Sequence, residues 1–485
     1  MENAKGEGTY NVVIIGAGTA GLVTAAGTAA LGGRVALVER DRMGGDCLNT
    51  GCVPSKALLS SARLVQQIRE GRRWGLEGQE PRFRVEDVME RMRERRSRIA
   101  PHDSQERFES LGVDVFRGTA RFVSAHEVAV DDQRLRARNF VIAAGSRAAM
   151  PDVEGLADAG PFTNETVFDE LRAKPERMIV LGGGPIGCEL GQAFARLGVK
   201  VTILQSGARL LPKEDADVAG LVRRRLEAEG VRVITAAKAT RVTREGRLYC
   251  VRLEAEDKVE EIAAEAMLVA AGRAPNLEGL ELEKAGVVYD EKGVKVNEHL
   301  QTTAPHIYAA GDIAGSYQFT HLADHHARVV VRNILLPWFK ARADVAALPW
   351  CTYTSPEVAR VGLNEDEAKR QGTACDVWVE PLEDLDRAIV ESEEVGFAKV
   401  LTAKGSDRIL GGTIVSARAG DLLHELVLAM KAGLGLKAVS ATIHAYPTFA
   451  EVTHKAADRY QRSRLIPTLR RLSSWLYRRR REAGS

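Results

Sequence analysis

Two cysteines stand in the stretch GGDCLNTGCVPSK, Gly44 to Lys56, with four residues between them. Cys47 and Cys52 occupy a run that begins as a glycine turn and ends at the mouth of a helix. Thiols at such a spacing ligate zinc, staple a loop, fill a core or cycle between dithiol and disulfide. Structural zinc takes four ligands, and the next cysteine is Cys188. Six cysteines in 485 residues (Cys47, Cys52, Cys188, Cys250, Cys351, Cys375) do not make a disulfide scaffold. The glycines and the proline around the pair argue for a specific turn over two accidental core residues. A redox pair fits, provided that neighbouring elements bring it a source of electrons.

The flanking elements have that character. Asn11–Ile15 (NVVII) is a short apolar run, Gly16, Gly18 and Gly21 form a GxGxxG turn, an alanine-rich helix follows, and Arg34–Val38 ends at Glu39. This is a βαβ unit for a dinucleotide. Its glycines let backbone approach a pyrophosphate at the helix N-terminus, and its acid binds the adenosine ribose. The pattern returns in Met178–Leu181, then Gly182, Gly184 and Gly187, a helix over Cys188–Leu197 and a strand over Lys200–Leu204. Two such folds predict two dinucleotides, one of them a tightly held cofactor.

Two further apolar runs, Phe140–Ala144 and Met267–Ala271, lead into Gly145-Ser146-Arg147 and Gly272-Arg273 and close the two folds. His306–Ala310, before Gly311 and Asp312, resumes the first fold, so the second is inserted in it. From Leu348 the texture changes to strands (Ala398–Leu401, Ile409–Ser416) and a helix (Asp421–Ala432), a separate α+β domain. The charged segment Val85–Ile99 reads as a solvated helix.

Composition bounds the rest. A chain of 485 residues holds two to four domains. With 45% hydrophobic and 28% charged residues and a net charge of +2, it resembles an ordinary globular protein and shows no electrostatic footprint for nucleic acid. The tail is the exception: Gln461–Ser485 carries eight arginines and one glutamate. The N-terminus, MENAKGEGTY, is polar and predicts no signal peptide. No apolar run reaches the roughly 18 residues of a bilayer span. The expected compartment is the reducing cytoplasm, where a CxxxxC pair is catalytic or metal-binding rather than structural.

GGDCLNTGCVPSK, the two GxGxxG folds, IYAAGDIAG and HAYPTFAE together resemble the flavoprotein disulfide reductase family, over residues 9 to 460. That family, the class I pyridine nucleotide-disulfide oxidoreductases, includes dihydrolipoyl dehydrogenase, glutathione reductase and mercuric reductase. The resemblance implies an α/β fold with two doubly wound Rossmann-like dinucleotide-binding domains, one inserted in the other, and a C-terminal α+β dimerisation domain. The expected divisions are 9–158 for FAD, 159–280 for NAD(P), 281–347 for the central return, 348–460 for dimerisation, and a basic amphipathic tail over 461–485. It implies a homodimer with FAD and NADPH or NADH. Cys52 would be the flavin-proximal, charge-transfer sulfur and Cys47 the one that exchanges with substrate. Lys56 would pair with Glu189 beside the flavin. Gly16, Gly18, Gly21, Glu39, Arg40, Ala144, Gly145, Ser146, Gly311 and Asp312 match FAD-binding positions. Gly182, Gly184, Gly187, Gln205, Gly272 and Arg273 match NAD(P)-binding positions.

The departures sharpen the reading. Disulfide-reducing members carry a histidine directly before Pro-Thr, with a glutamate five residues on, as general acid/base. Here Glu451 is in place, but Tyr446 precedes Pro447 and His444 lies two residues early. A phenol with a pKa near 10 is a poor proton shuttle at neutral pH beside imidazole near 6.5. Tyrosine at this position is similar to mercuric reductases, yet no cysteine follows Cys375 to make their C-terminal pair, and no appended N-terminal metal-binding domain is expected. Gln205 stands where an acid would repel a 2′-phosphate, which admits NADPH, whereas Gly187 in place of alanine favours NADH. The expectation is an FAD-dependent NAD(P)H oxidoreductase, closest to mercuric reductase-like members, with a small-molecule or small-thiol acceptor and no resident metal. The alternatives are a dihydrolipoyl dehydrogenase and, from another class, a flavin/dithiol redox sensor acting through a partner. The basic tail, with Leu469, Leu472, Trp475 and Leu476 at helical spacings, is expected to touch an anionic membrane surface.

Overall fold

The computed structural model describes residues 8–255, 258–315, 317–464 and 467–482. The polar N-terminal heptad read for targeting, and Leu465 and Ile466 at the start of the tail, lie outside the described residues. The chain divides into two compact units. The first comprises Met1–Arg69, Gln79–Leu211 and Leu226–Val345, and the second Glu70–Gly78, Pro212–Arg225 and Ala346–Ser485.

In the first unit, strand β1 (Thr9–Ile15) runs into helix α1 (Thr19–Ala30) and strand β2 (Val35–Glu39). β1 and β2 are parallel, with Val12 opposite Val35 and Ile15 opposite Val38. Helix α2 (Cys52–Arg69) and helix α3 (Val85–Ile99) follow, then β3 (Val113–Arg117) and the long β4 (Gln133–Ile142). β3, β2, β1 and β4 are neighbours in a seven-stranded sheet. A parallel strand is covered on both faces and so is apolar throughout. Tyr10, Val13 and Ile15 of β1 pack with Phe122 and Phe140 in one core. Val12 and Ile14 pack with Ala25, Leu37 and Phe108 in another.

The second βαβ unit is built alike. After β5 (Ser146–Ala148) come β6 (Arg177–Leu181), α4 (Pro185–Arg196) and β7 (Lys200–Leu204), joined in one parallel sheet by β8 (Arg232–Ile234) and β9 (Ala266–Val269). β10 (Arg273–Pro275) then pairs antiparallel with β5. β11 (Ile307–Ala309) pairs parallel with β4, so the chain returns to the first sheet after completing the second. α3 is not fully solvated: Val85, Met89 and Met92 are buried, and only its charged face meets water.

The second unit contains a five-stranded antiparallel sheet of β12 (Pro349–Thr352), β13 (Glu357–Gly362), β14 (Cys375–Pro381), β15 (Phe397–Ala403) and β16 (Ile409–Ser416). Helix α5 (Thr320–Leu335) closes the first unit; α6 (Glu451–Ser463) and α7 (Pro467–Glu482) end the second. The helix expected over Asp421–Ala432 is two short ones, Ala419–Leu422 and His424–Lys431. The His424 ring Nδ1 lies 2.9 Å from the Gly420 carbonyl, the acceptor that a continuous helix would use for its own backbone.

Candidate redox site and nucleotide loops

Gly44, at φ +90°, turns the chain into a five-residue helix that carries Cys47. Cys52 is the first residue of α2. The loop between them is tied down locally: Asn49 Nδ2 donates to the carbonyls of Met43 and Gly45, both at 2.9 Å, and the Thr50 hydroxyl donates to Asp46 at 2.6 Å. Both cysteines are thiols, Cys47 half-buried and Cys52 exposed. Their sulfurs are hydrogen-bonded to each other, and the pair titrates unevenly. The Cys47 hydrogen bond, the Thr320 hydroxyl and the Lys56 charge lower Cys52 to about 6 against an opposing desolvation. The same hydrogen bond, with burial and the negative charge on Cys52, pushes Cys47 far up. Thr320 Oγ1 is 3.5 Å from Cys52 Sγ and opens α5, so the thiolate sits by two helix N-termini, where peptide dipoles favour negative charge.

The first glycine loop fits a dinucleotide. Gly16 has φ +103°, and a Cβ there would lie 2.4 Å from the Ala143 carbonyl oxygen; one on Gly21 would lie 1.8 Å from Gly16 O. Gly18 is the N-cap of α1 and offers no side-chain cap. Its nearest neighbour would be Gly45 Cα at 3.8 Å, so the first-turn N–H groups have room for a phosphate. Buried Glu39 accepts from the N–H groups of Ala17 and Asp41, each at 2.7 Å, while Arg40 is exposed. Ala144 and Gly145 offer carbonyls to Asn276, at 2.8 and 3.0 Å. Gly311 N–H donates to His326 Nδ1 at 3.3 Å. Burial and the neighbouring His325 lower His326 to about 4, which keeps its ring neutral.

Arg273 is placed differently from the nicotinamide set in which the sequence pattern grouped it. Its guanidinium donates to Ser146 Oγ at 2.9 Å and pairs with Asp46 at 3.0 Å. Asp312, whose pKa burial raises against the Ser146 and Arg273 contacts, accepts the Ser146 hydroxyl at 2.5 Å. The β5–β10 pairing is the cause: it delivers the first residues after the second fold to the closing loop of the first. Asp46, Asn276 and His326 were not singled out from sequence; only the position of Asp46 between Gly45 and Cys47 hinted at a role.

The second loop repeats the main hydrogen bonds of the first. Gly16 N–H donates to Val38 O and Gly182 N–H to Leu204 O, both at 2.8 Å. Gln205 therefore corresponds to Glu39, and its Oε1 accepts from Gly183 N–H at 2.8 Å, as Glu39 accepts from Ala17. A Cβ on Gly187 would lie 1.9 Å from Gly182 O, and Gly184 has open space before it. Gly272 turns at φ +146°. Between the folds, Lys56 Nζ on α2 meets Glu189 Oε2 on α4 at 2.9 Å; the lysine is 35% and the glutamate 6% exposed.

In the second unit, Tyr446 is 70% exposed and donates to Asp386 Oδ2 at 2.9 Å. That hydrogen bond, and the carboxylate charge, raise the phenol's pKa. Glu451 opens α6, and its Oε2 is buried without a hydrogen-bond partner among the described residues. His444 turns elsewhere: Nε2 is 2.8 Å from Glu425 Oε1, Nδ1 is 2.9 Å from Thr442 O, and Thr453 also donates to Glu425. This His–Glu–Thr group had no sequence signal. Among the described residues, no group of three or more His, Cys, Asp or Glu is arranged to hold a metal ion.

Comparison with known proteins gives the family. Residues 10–327 match the model of the pyridine nucleotide-disulphide oxidoreductases, and 348–457 match their dimerisation domain. The chain is 33% identical to a mercuric reductase of Staphylococcus aureus, over 93% of this chain and 82% of that one. It is 36% identical to a dihydrolipoyl dehydrogenase of Thermus scotoductus, over 93% and 97%. A solved HOCl-induced flavoprotein disulfide reductase from Escherichia coli superposes with a TM-score of 0.82 at 28% identity, over 93% and 99%. The dimerisation domain supports a homodimer. Enzymes of this kind use FAD and NAD(P)H, and on these grounds the chain belongs to the pyridine nucleotide-disulphide oxidoreductase family.

Proposed function

We propose that the chain is an FAD-dependent NAD(P)H oxidoreductase in which Cys47 and Cys52 carry the electrons to a small acceptor. The first glycine loop, Glu39, Ser146 and Asp312 would hold FAD, which would supply the relay of an electron pair from NAD(P)H to the Cys47–Cys52 disulfide. The chain's own residues set the protonation of the product. Two electrons and one proton break the S–S bond and leave a Cys52 thiolate and a Cys47 thiol. Thr320 and Lys56 stabilise the thiolate, and the raised Cys47 keeps its proton. The observation that carries the reading is the placement of Cys52 as the first residue of α2, with Thr320 Oγ1 3.5 Å from its sulfur and the Lys56–Glu189 pair one turn further along the same helix.

The acceptor then has to displace the Cys47 proton. Tyr446, protonated at neutral pH and bonded to Asp386, is a poor base for it. A soft metal ion such as Hg(II) replaces the proton on sulfur directly, which favours mercuric reductase-like chemistry over dithiol exchange. Neutral Gln205 carries no charge to repel a 2′-phosphate, which supports NADPH as the donor.

The protein should purify yellow. Anaerobic NADPH should add long-wavelength absorbance that Cys52→Ser abolishes, and an unchanged spectrum in that variant would remove Cys52 from the flavin. A panel of Hg(II), lipoamide and glutathione disulfide then ranks the acceptors. The second reading, a dihydrolipoyl dehydrogenase, rests on Glu451 and the 36% identity to that enzyme. Tyr446→His separates the two, since a general acid/base typically contributes roughly 10²–10⁴-fold. A rise of that order in lipoamide turnover would make the proton shuttle the missing part. No rise would assign the exclusion of lipoamide to the pocket.

A further inference from the structure

The terminal helix α7 (Pro467–Glu482) has no part in the chemistry above. Its sixteen residues span about 24 Å at the helical rise. Leu469, Leu472, Trp475 and Leu476 are 49%, 53%, 46% and 47% exposed. At 100° per residue they fall on one stripe about 120° wide. Arg470, Arg471, Arg478 and Arg481 fall on the opposite side, and the last turn, Arg478–Arg481, is basic all round. Arg479 falls within the angular range of the stripe at its last turn and stacks over the Trp475 ring at 4.6 Å, which lays its alkyl stem on the apolar side. Among the described residues, the side-chain hydrogen bonds of the helix, from Ser473, Arg478 and Arg481, go to its own backbone.

We infer that α7 is a surface-binding helix whose partner is an anionic lipid bilayer, on which it lies with the Leu469–Leu476 stripe in the headgroup–acyl boundary. Charge selects the partner: six arginines stand on the helix against one acid, Glu482, and each basic group near such a surface adds attraction. The stripe selects lipid over a nucleic acid, because phosphate contacts need the arginines alone and give half-exposed leucines and a tryptophan nothing to enter. Among the described residues no helix is long and apolar enough to cross a membrane, so the attachment is peripheral. It is independent of the redox reading, since no residue of the stripe belongs to that site.

The test is cosedimentation of the FAD-loaded full chain with phosphatidylcholine vesicles, with or without phosphatidylglycerol. A chain ending at Arg464 and the double variant Leu472→Glu/Trp475→Glu serve as comparisons, with NADPH oxidation as the check of folding. The full chain should pellet with the anionic vesicles at low salt and be released by high salt. Both altered chains should lose about tenfold or more of the bound fraction while keeping their oxidation rate. Vesicles should also blue-shift emission that is absent from Trp475→Phe. Equal recovery of all three chains in the supernatant would overturn the inference. So would undiminished binding by the glutamate variant, which would show that charge alone acts and that any polyanion, nucleic acid included, suffices.

Discussion

Cys47 and Cys52 share one hydrogen bond and are driven apart by it. The donor, Cys47, keeps its proton, while the acceptor, Cys52, loses its own near pH 6 with help from Thr320 and Lys56. The pH dependence comes from the sign. Because the Cys52 pKa is lowered, its thiolate persists from high pH down to about 6 and is lost below. The long-wavelength absorbance of the reduced enzyme should therefore fade with a midpoint near 6. Lys56→Met removes the nearby positive charge and should move that midpoint upward. A midpoint of about 8.5, the ordinary thiol value, or one indifferent to Lys56, would detach the sulfur from these stabilising contacts. At this scale the sequence was readable where motif and neighbour coincide, as for Gly16, Glu39 and the cysteines. It was not readable for His444, because its partner Glu425 lies nineteen residues upstream and only the packed fold brings the two together.

Each glycine loop works because an adjacent strand ends in a side chain that catches the loop's own N–H, and the elements around it must hold that alignment. Helix α4 does so partly through a buried ion pair. Arg196 donates to both oxygens of Glu229, each at 2.7 Å, and both side chains are 3% exposed. Arg196→Leu takes one partner out of this buried pair, a change that typically costs about 3–5 kcal/mol. Urea unfolding should show a loss of that size, and Arg196→Leu/Glu229→Leu should recover most of it. A loss under about 1 kcal/mol would mean that the pair only breaks even. Strand and helix positions were legible from apolar runs and glycine turns, and α3 over Val85–Ile99 from its charge, although its buried Val85, Met89 and Met92 were not. The destination of Arg273 was not, because it depends on β10 pairing with β5, a contact 128 residues apart that neither strand announces.

The whole molecule is organised by returns of the chain. β11 comes back to the first sheet, and the second unit recruits Glu70–Gly78 and Pro212–Arg225 from far upstream. The inserted fold was legible because its glycine motif repeats. The recruited segments were not, since neither carries a motif that names the later part of the chain it joins. Assembly adds a further level. Tyr446 and Glu451 lie in the dimerisation domain, and in our reading each site draws them from the neighbouring subunit. Inactive Cys47→Ser protein mixed with inactive Glu451→Ala protein should then recover activity through heterodimers with one intact site. Mixtures that exchange subunits, shown by differently tagged chains, and still stay inactive would place each site within a single chain.

The charge cluster of the second unit also sets an order of events during synthesis. Lys399 is 3% exposed and meets Asp215 at 3.2 Å, Asp217 at 2.6 Å and Glu365 at 2.6 Å. Arg360, 1% exposed, meets Glu214. Asp215 leaves the ribosome 184 residues before Lys399, roughly ten to forty seconds earlier at ordinary rates of translation. For that interval the acidic segment Glu214–Asp217 has no Lys399 to close on, although both glycine loops, which precede it in the chain, have already been made. The nascent protein thus carries its nucleotide loops together with an open acidic strap, and emergence of the last third of the chain is what closes it.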